Sequence, residues 1–315
     1  MTVTSTPATR SESSLGISGR QAAAATHLRP AIARALPVSH VAGCRLLEEV
    51  AAGGHAVVYR ATHERIGRPV AIKALRTDAM AEPGLRARFL REARILGRFA
   101  HPNLPQIHDV VEVGGALFLV LEWCGGIDLQ DALVLVPQLP WPAALAIAVQ
   151  TARALSHVHA RGVLHGDVKP SNLILTHRGL LKLIDFGVAI VPSEERGRSA
   201  PRLATPGYLS PASHEGRSEA PDARQDQYAL GVVLHQMLYG HRPGGAPLDG
   251  NAASSPAPSA LRGLLSRCLE EQPSRRYAEL SELIDAGLGL LRSHGSGDEV
   301  EHVRRLVALL EQPAA

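Results

Sequence analysis

The chain has 315 residues, of which 45% are hydrophobic but only 3% aromatic, and a formal charge of +3. That length suits one two-lobed domain with additional segments at its ends, and that composition favours a core of Leu, Val, Ile and Ala over stacked rings. A small charge spread along the chain leaves no footprint for nucleic acid, and three cysteines, Cys44, Cys124 and Cys268, match no disulfide framework or metal motif.

The opening MTVTSTPATRSESSLG lacks the apolar stretch of a secretory signal. Later apolar runs break well before the roughly 20 residues a membrane span requires, so the expectation is a cytoplasmic protein in a reducing setting. Residues 1–40 read as a flexible extension, with Gln21–Ala35 as a short helix interrupted by Pro30. From Cys44 to Tyr59 short apolar runs flank a glycine pair, and RPVAIKAL at 68–75 alternates like a strand, which predicts a hairpin and a third strand. Residues Pro83–Phe99 read as a helix with Leu85, Phe89, Ala93 and Leu96 on one face. Two apolar runs follow, Ile107–Val113 and Ala116–Glu122, joined by a turn at Gly114–Gly115. After Gly125–Gly126 the pattern turns helical, at Trp141–Ala160, Asp226–Tyr239, Ala260–Leu269 and Tyr277–Leu290, with a final helix at Asp298–Leu310. Residues 244–260, GGAPLDGNAASSPAPSA, read as a surface loop. The prediction is an α+β fold: a small antiparallel sheet of about five strands with one helix, then a larger helical lobe, with a cleft between.

Two strings carry most of the functional information: LHGDVKPSNLIL at 164–175 and LKLIDFGVA at 181–189. They resemble the catalytic loop and metal-binding loop of protein kinases, and VAIK at 70–73 stands where that family keeps its ATP-anchoring lysine. In wording the chain is most similar to bacterial serine/threonine kinases of the eukaryotic-like, Hanks type. The resemblance implies a kinase domain over 44–285, with a first lobe at about 44–122, a second at about 126–285, and a C-terminal segment 286–315 that is partly helical. It implies ATP and Mg²⁺, or Mn²⁺, as cofactors, and protein substrates with a Ser or Thr acceptor, the chain itself included, in signal transduction.

The resemblance assigns roles residue by residue. Phosphoryl transfer rests on positioning and charge neutralisation. Lys73 would hold the α- and β-phosphates, and Glu92 would pair with it. Asp167 would accept or orient the hydroxyl proton, Lys169 would reach the transferred phosphate, and Asn172 and Asp185 would hold the metal through hard oxygen donors. Pro170 would restrict the catalytic loop. Adenine would lie against the main chain of Glu122, Trp123 and Cys124, beneath Val58, with Leu121 as gatekeeper. Asp128 reads either as a ribose ligand or as a solvent-exposed or helix-capping residue. Lys169 and the TPGYLSP segment at 205–211 resemble the serine/threonine branch, in which Thr205 would bond near Asp167 and Lys169, and Tyr208 would help form the substrate pocket. Asp226 would brace the catalytic loop.

Departures from the pattern are informative. In the phosphate-covering loop Ala51 and Ala56 replace two glycines around Gly53, and alanine penalises φ > 0. Gly166 stands where many kinases have an arginine that waits for an activation-loop phosphate, so activity is expected not to depend on that switch; Ser193, Ser199 and Thr205 remain modification candidates. Ala212 occupies the place of a glutamate that pairs with an arginine matching Arg276, so that either Glu215 substitutes or Arg276 reaches solvent. The short loop between Gly240 and Pro258 leaves little room for a docking helix, which directs substrate recruitment toward residues 1–40 or the C-terminal segment. The main alternative to an active enzyme is a pseudokinase scaffold that binds nucleotide, motivated by Ala51, Ala56 and Ala212. A small-molecule phosphotransferase is the other.

Overall fold

The computed structural model describes residues 39–76, 84–192, 205–210, 222–244, 257–295 and 298–312. Residues 1–38 of the expected extension at 1–40, the helix at Gln21–Ala35, Ser193, Ser199, Ala212, Glu215 and most of the loop at 244–260 lie outside these residues.

The first lobe is an antiparallel sheet in the order β1-β2-β3-β4-β6-β5, formed by β1 (His40–Val41), β2 (Cys44–Ala52), β3 (Ala56–His63), β4 (Arg68–Leu75), β5 (Ile107–Val113) and β6 (Ala116–Glu122). The two-residue β1, paired through Val41 and Cys44, adds a sixth strand to the five expected. Side chains of a strand alternate between faces, so Ala71 and Lys73 of β4 share one face. In register, Lys73 stands opposite Val58 on β3 and Leu119 on β6, while Ala71 stands opposite Leu121.

Helix α1 (Leu85–Leu96) covers this sheet. Leu85, Phe89, Ala93 and Leu96 recur at helical spacing and are buried, and Phe89 and Ala93 pack with Leu75, Leu117 and Leu119. The helix stops at Leu96, short of the expected Phe99, with Gly97 as its C-cap, whose N–H donates to Ala93 O at 2.9 Å.

The second lobe is built around α3 (Trp141–His159), whose buried residues run almost without a break from Ala143 to Ala152. A helix apolar on every side belongs at the centre of a domain. Against it lie α4 (Ala223–Tyr239), α6 (Leu280–Ser293) and α7 (Glu299–Leu310), and α5 (Ser259–Cys268) packs on α4 and α6. Asp222 and Asp298 cap α4 and α7 by accepting main-chain N–H bonds, so that α4 starts three residues before the expected Asp226 and α7 one residue after the expected Asp298. Helix α6 begins three residues later than expected, since Tyr277 to Glu279 are not helical, and runs three residues further.

Two elements were not expected. Strands β7 (Gly126–Asp128), β8 (Leu173–Thr176) and β9 (Leu181–Leu183) form a second, three-stranded sheet at the junction of the lobes. Helix α2 (Leu129–Leu135) follows β7 directly. Strands of three or four residues are too short to show a period, and both apolar faces of β8 and β9 are buried.

Candidate active site

The cleft between the sheet and the helical lobe collects the polar residues that the sequence singles out. From the sheet comes Lys73, whose Nζ donates to Glu92 Oε1 at 2.6 Å and Oε2 at 2.8 Å. Glu92 is buried on the inner face of α1, so helix and strand are locked together by one bidentate pair. The same ammonium reaches Asp185 Oδ1 at 3.3 Å, joining the two lobes across the cleft. Burial alone would depress the lysine pKa, but the Glu92 and Asp185 carboxylates more than offset it and hold Lys73 protonated.

Asp185 adopts a left-handed backbone, φ 66°, uncommon for any residue but glycine. Gly187 N–H donates to its Oδ1 at 3.3 Å. Burial favours the neutral acid, yet Lys73 and His165 outweigh that effect and draw the Asp185 pKa down. Next to it Phe186 is wholly buried, edge-on to His165 at 4.8 Å and tilted against Phe99 at 6.0 Å. The strained aspartate is therefore anchored by its neighbour's ring.

The catalytic loop lies below. Asp167 Oδ1 accepts from Thr205 N–H at 3.0 Å and from Thr205 Oγ1 at 2.6 Å. Its Oδ2 lies 2.6 Å from Lys169 Nζ and accepts from Asn172 Nδ2 at 3.2 Å. Lys169 also donates to Thr205 Oγ1 at 2.8 Å, so the hydroxyl relays one donor toward the carboxylate. Both protons of the Asn172 amide are turned to Asp167, its main-chain oxygen at 2.8 Å included, which leaves Oδ1 as the free-facing donor atom. Pro170 opens a short 3-10 turn, Pro170–Asn172, that carries Lys169 and Asn172 on either side of it.

Beneath this loop Asp226 of α4 is fully enclosed. Its Oδ2 accepts from His165 N–H at 2.8 Å and faces His159 Nε2 at 2.8 Å, while Oδ1 accepts from Gly166 N–H at 2.9 Å. Desolvation opposes the charge, but the His159 bond and the neighbouring donors prevail and lower the pKa. Gly166 has φ 79°, and an added Cβ would stand 3.3 Å from Val188 O. That backbone angle, rather than loss of an arginine alone, explains a glycine there.

At the linker between lobes, Glu122 N–H donates to Gln106 O at 2.8 Å, and the Glu122 carboxylate is tied to Lys182 Nζ at 2.8 Å. Lys182 is itself buried and donates to Leu104 O at 3.2 Å. The main-chain N–H and C=O of Cys124 have no hydrogen-bond partner among the described residues. Its half-buried thiol sits 3.7 Å from Glu122 O, and burial pushes its pKa up to about 12. Asp128 caps α2, accepting from Asp131 N–H at 2.9 Å, which is the capping alternative read from the sequence.

The roof of the cleft differs from expectation. Ala51 and Ala56 lie in β2 and β3, with Ala51 opposite Val58, and neither has a positive φ. The expected cost of alanine at a left-handed position does not arise. Gly53 N–H closes the turn by donating to Ala56 O at 2.8 Å.

Of the two alternatives for Arg276, pairing with Glu215 lies outside the described residues, and the other fails. It does not reach solvent: it is 2% exposed, and its guanidinium donates to the main-chain oxygens of Glu270, Arg224 and Glu271 at 2.8, 2.8 and 3.1 Å. Tyr228 lies under it, with the guanidinium carbon 4.8 Å from the ring centre. Among the described residues its acceptors are thus main-chain carbonyls, two just beyond the end of α5 and one in the first turn of α4. Tyr208 Oη donates to Gln236 Oε1 at 3.0 Å, and Arg242 stacks over its ring at 5.6 Å.

Lys182, His159, His165 and the buried pair Asn103 and Gln150 escaped the sequence reading. Asn103 Nδ2 donates to both Gln150 Oε1 and Leu181 O at 2.8 Å, pinning β9 to α3. A lysine inside the apolar run LKLI was the available signal for Lys182.

A two-lobed fold with a lysine, a helix glutamate, a loop aspartate and a left-handed aspartate facing one cleft defines an ATP-dependent phosphotransferase architecture. The chain belongs to the protein kinase domain family, whose model matches residues 44–285. It is 35% identical over 246 residues to the serine/threonine-protein kinase PknH of Mycobacterium bovis, covering 73% of this chain and 41% of that one. Against the serine/threonine-protein kinase pkn2 of Myxococcus xanthus it is 36% identical over 265 residues, 77% and 32% of the two chains. With CBL-interacting protein kinase 4 of Oryza sativa the identity is 36% over 248 residues, 72% and 53%. The chain thus spans about a third to a half of these curated relatives. No helix among the described residues is long and apolar enough to cross a membrane.

Proposed function

We propose that this protein transfers the γ-phosphoryl group of ATP to serine or threonine hydroxyls of protein substrates. The observation that carries the reading is Asp167, held between Thr205, Lys169 and Asn172 and facing the cleft that Lys73 and Asp185 share. Lys73, fixed by Glu92, donates to the α- and β-phosphates. The substrate hydroxyl approaches Asp167; its oxygen bonds to the γ-phosphorus as the bond to the β-bridging oxygen breaks, the proton passes to Asp167, and ADP leaves. Lys169 neutralises charge on the moving group, a role suited to a flexible ammonium already beside the base.

Asn172 Oδ1 and the Asp185 carboxylate are hard oxygen donors of the kind Mg²⁺ or Mn²⁺ prefers, and phosphate oxygens and water would complete the shell. Bound there, the ion supplies charge neutralisation at the phosphates. Cys124 offers its main-chain groups to adenine, with Val58 above and Leu121 closing the back. The uncharged thiols of Cys44, Cys124 and Cys268, none in a disulfide, suit a reducing compartment such as the cytoplasm.

The test is transfer from labelled ATP by wild-type, D167A and K73A protein, with Mg²⁺ or Mn²⁺ and generic protein acceptors. Wild-type protein should label itself or an acceptor on Ser and Thr, and D167A should be slower by about 10²–10⁴-fold. A wild-type protein that binds ATP but transfers no faster than D167A would replace this reading with that of a nucleotide-binding scaffold.

A further inference from the structure

Helix α7 lies beyond the residues matched by the family model, yet it is built into the second lobe. Val303, Leu306 and Val307 are buried in the common core, and Arg153 of α3 pairs with Glu299 at the start of the helix. The turn between β8 and β9 is shaped to admit it. Gly179 there has φ 80°, and an added Cβ would overlap the Val300 carbonyl and stand 2.9 Å from Val300 Cγ1. Only glycine satisfies both the backbone angle and the approach of the helix.

The same turn carries His177, which touches two otherwise separate places. Its Nδ1 is 2.9 Å from Gly125 O, the residue after the Glu122–Cys124 linker, and its main-chain N–H donates to that oxygen at 3.3 Å. Its Nε2 is 2.7 Å from Oε1 of Glu311, at the C-terminal end of α7. Both ring nitrogens face oxygen atoms, so the one side chain spans the linker carbonyl and the end of α7.

We propose that α7 and His177 form a tether that fixes the end of the interlobe linker, so that residues outside the family domain set how firmly nucleotide is held. His177 is a positioning residue in this arrangement, acting through the Gly125 carbonyl rather than on the substrate. The nucleotide part of the inference rests on the function proposed above; the linker part stands without it.

The experiment uses the full chain as wild type, H177A, E311Q and the double variant. Hydrogen exchange of peptides spanning 122–126 is followed without nucleotide, and binding of the non-hydrolysable analogue AMP-PNP with Mg²⁺ is followed by calorimetry. Linker exchange should quicken in both single variants, and AMP-PNP affinity should fall about threefold, as for a partly exposed charged bond. In turnover the ATP KM should rise similarly with kcat at saturating ATP unchanged, and the double variant should be no worse than the weaker-binding single. Unchanged linker exchange, or exchange that quickens only over 298–311, overturns the tether. If wild-type protein fails to bind AMP-PNP, the proposed function falls, and linker exchange alone decides the tether.

Discussion

The floor and the roof of the cleft are held in opposite ways. In the floor, Asp167 and Asp226 each gather several donors, and the loop between them is buried against Phe186 and α4. In the roof, residues 51–55 are all exposed, and one main-chain bond from Gly53 to Ala56 closes the turn. The contrast separates what must be fixed from what must only cover: reacting atoms need sub-ångström placement, whereas a phosphate can be met by a mobile lid. It also explains how the roof tolerates alanines that the family pattern would not anticipate.

The sharpest way to break the floor is D226N. An amide there turns its NH₂ toward the N–H of either His165 or Gly166, which bond to different oxygens of the carboxylate, so stability should drop by about 2–4 kcal/mol in denaturant titration. Turnover should collapse further than that loss of folded protein explains.

A smaller effect comes from behind the floor, where His101 packs 4.8 Å from His157 beside Phe99. Burial first, then the charges of His157, Arg153 and Lys182, lower the His101 pKa to about 4. The unfolded chain, near 6.5, binds the proton more readily between those values, so stability is complete above about pH 6.5 and is lost as pH falls toward 4. Because the ring is only partly enclosed, about 1 kcal/mol is expected, read as a falling melting temperature between pH 7 and 5 that H101N makes shallower.

The smallest effect should follow from restoring the roof. The A51G/A56G variant should change the ATP KM by less than about threefold, since both alanines already hold ordinary strand angles. A tenfold gain would mean that the roof, not the floor, limits nucleotide binding.

The same division governs what could be read from the sequence. Floor residues sit in short strings at fixed spacing, so Asp167, Lys169, Asn172 and Asp185 announce themselves together, and Asp226 follows from the helix DQYALGVVL. The two lobes were legible from the change of hydrophobic period near Gly125. Lys182 was not, because its partner Glu122 is 60 residues away and a lysine inside the apolar run LKLI marks itself without naming its partner. Arg276 was legible only in part: the alternative that it reaches solvent fails, because main-chain oxygens, which every residue has, accept from its guanidinium, while Glu215 lies outside the described residues. The small sheet of β7, β8 and β9 is fixed by pairing between strands too short to show a pattern.

A cysteine beside the position proposed for adenine invites the thought of covalent inhibitors. Nucleophilic attack, however, requires the thiolate, and a thiol whose pKa is driven to about 12 by burial and by Glu122 holds almost none of it at neutral pH. Cys124 should therefore resist iodoacetamide and acrylamide warheads while the protein is folded, and react with them only on unfolding. For the chemist, this site favours reversible ligands that read its main chain.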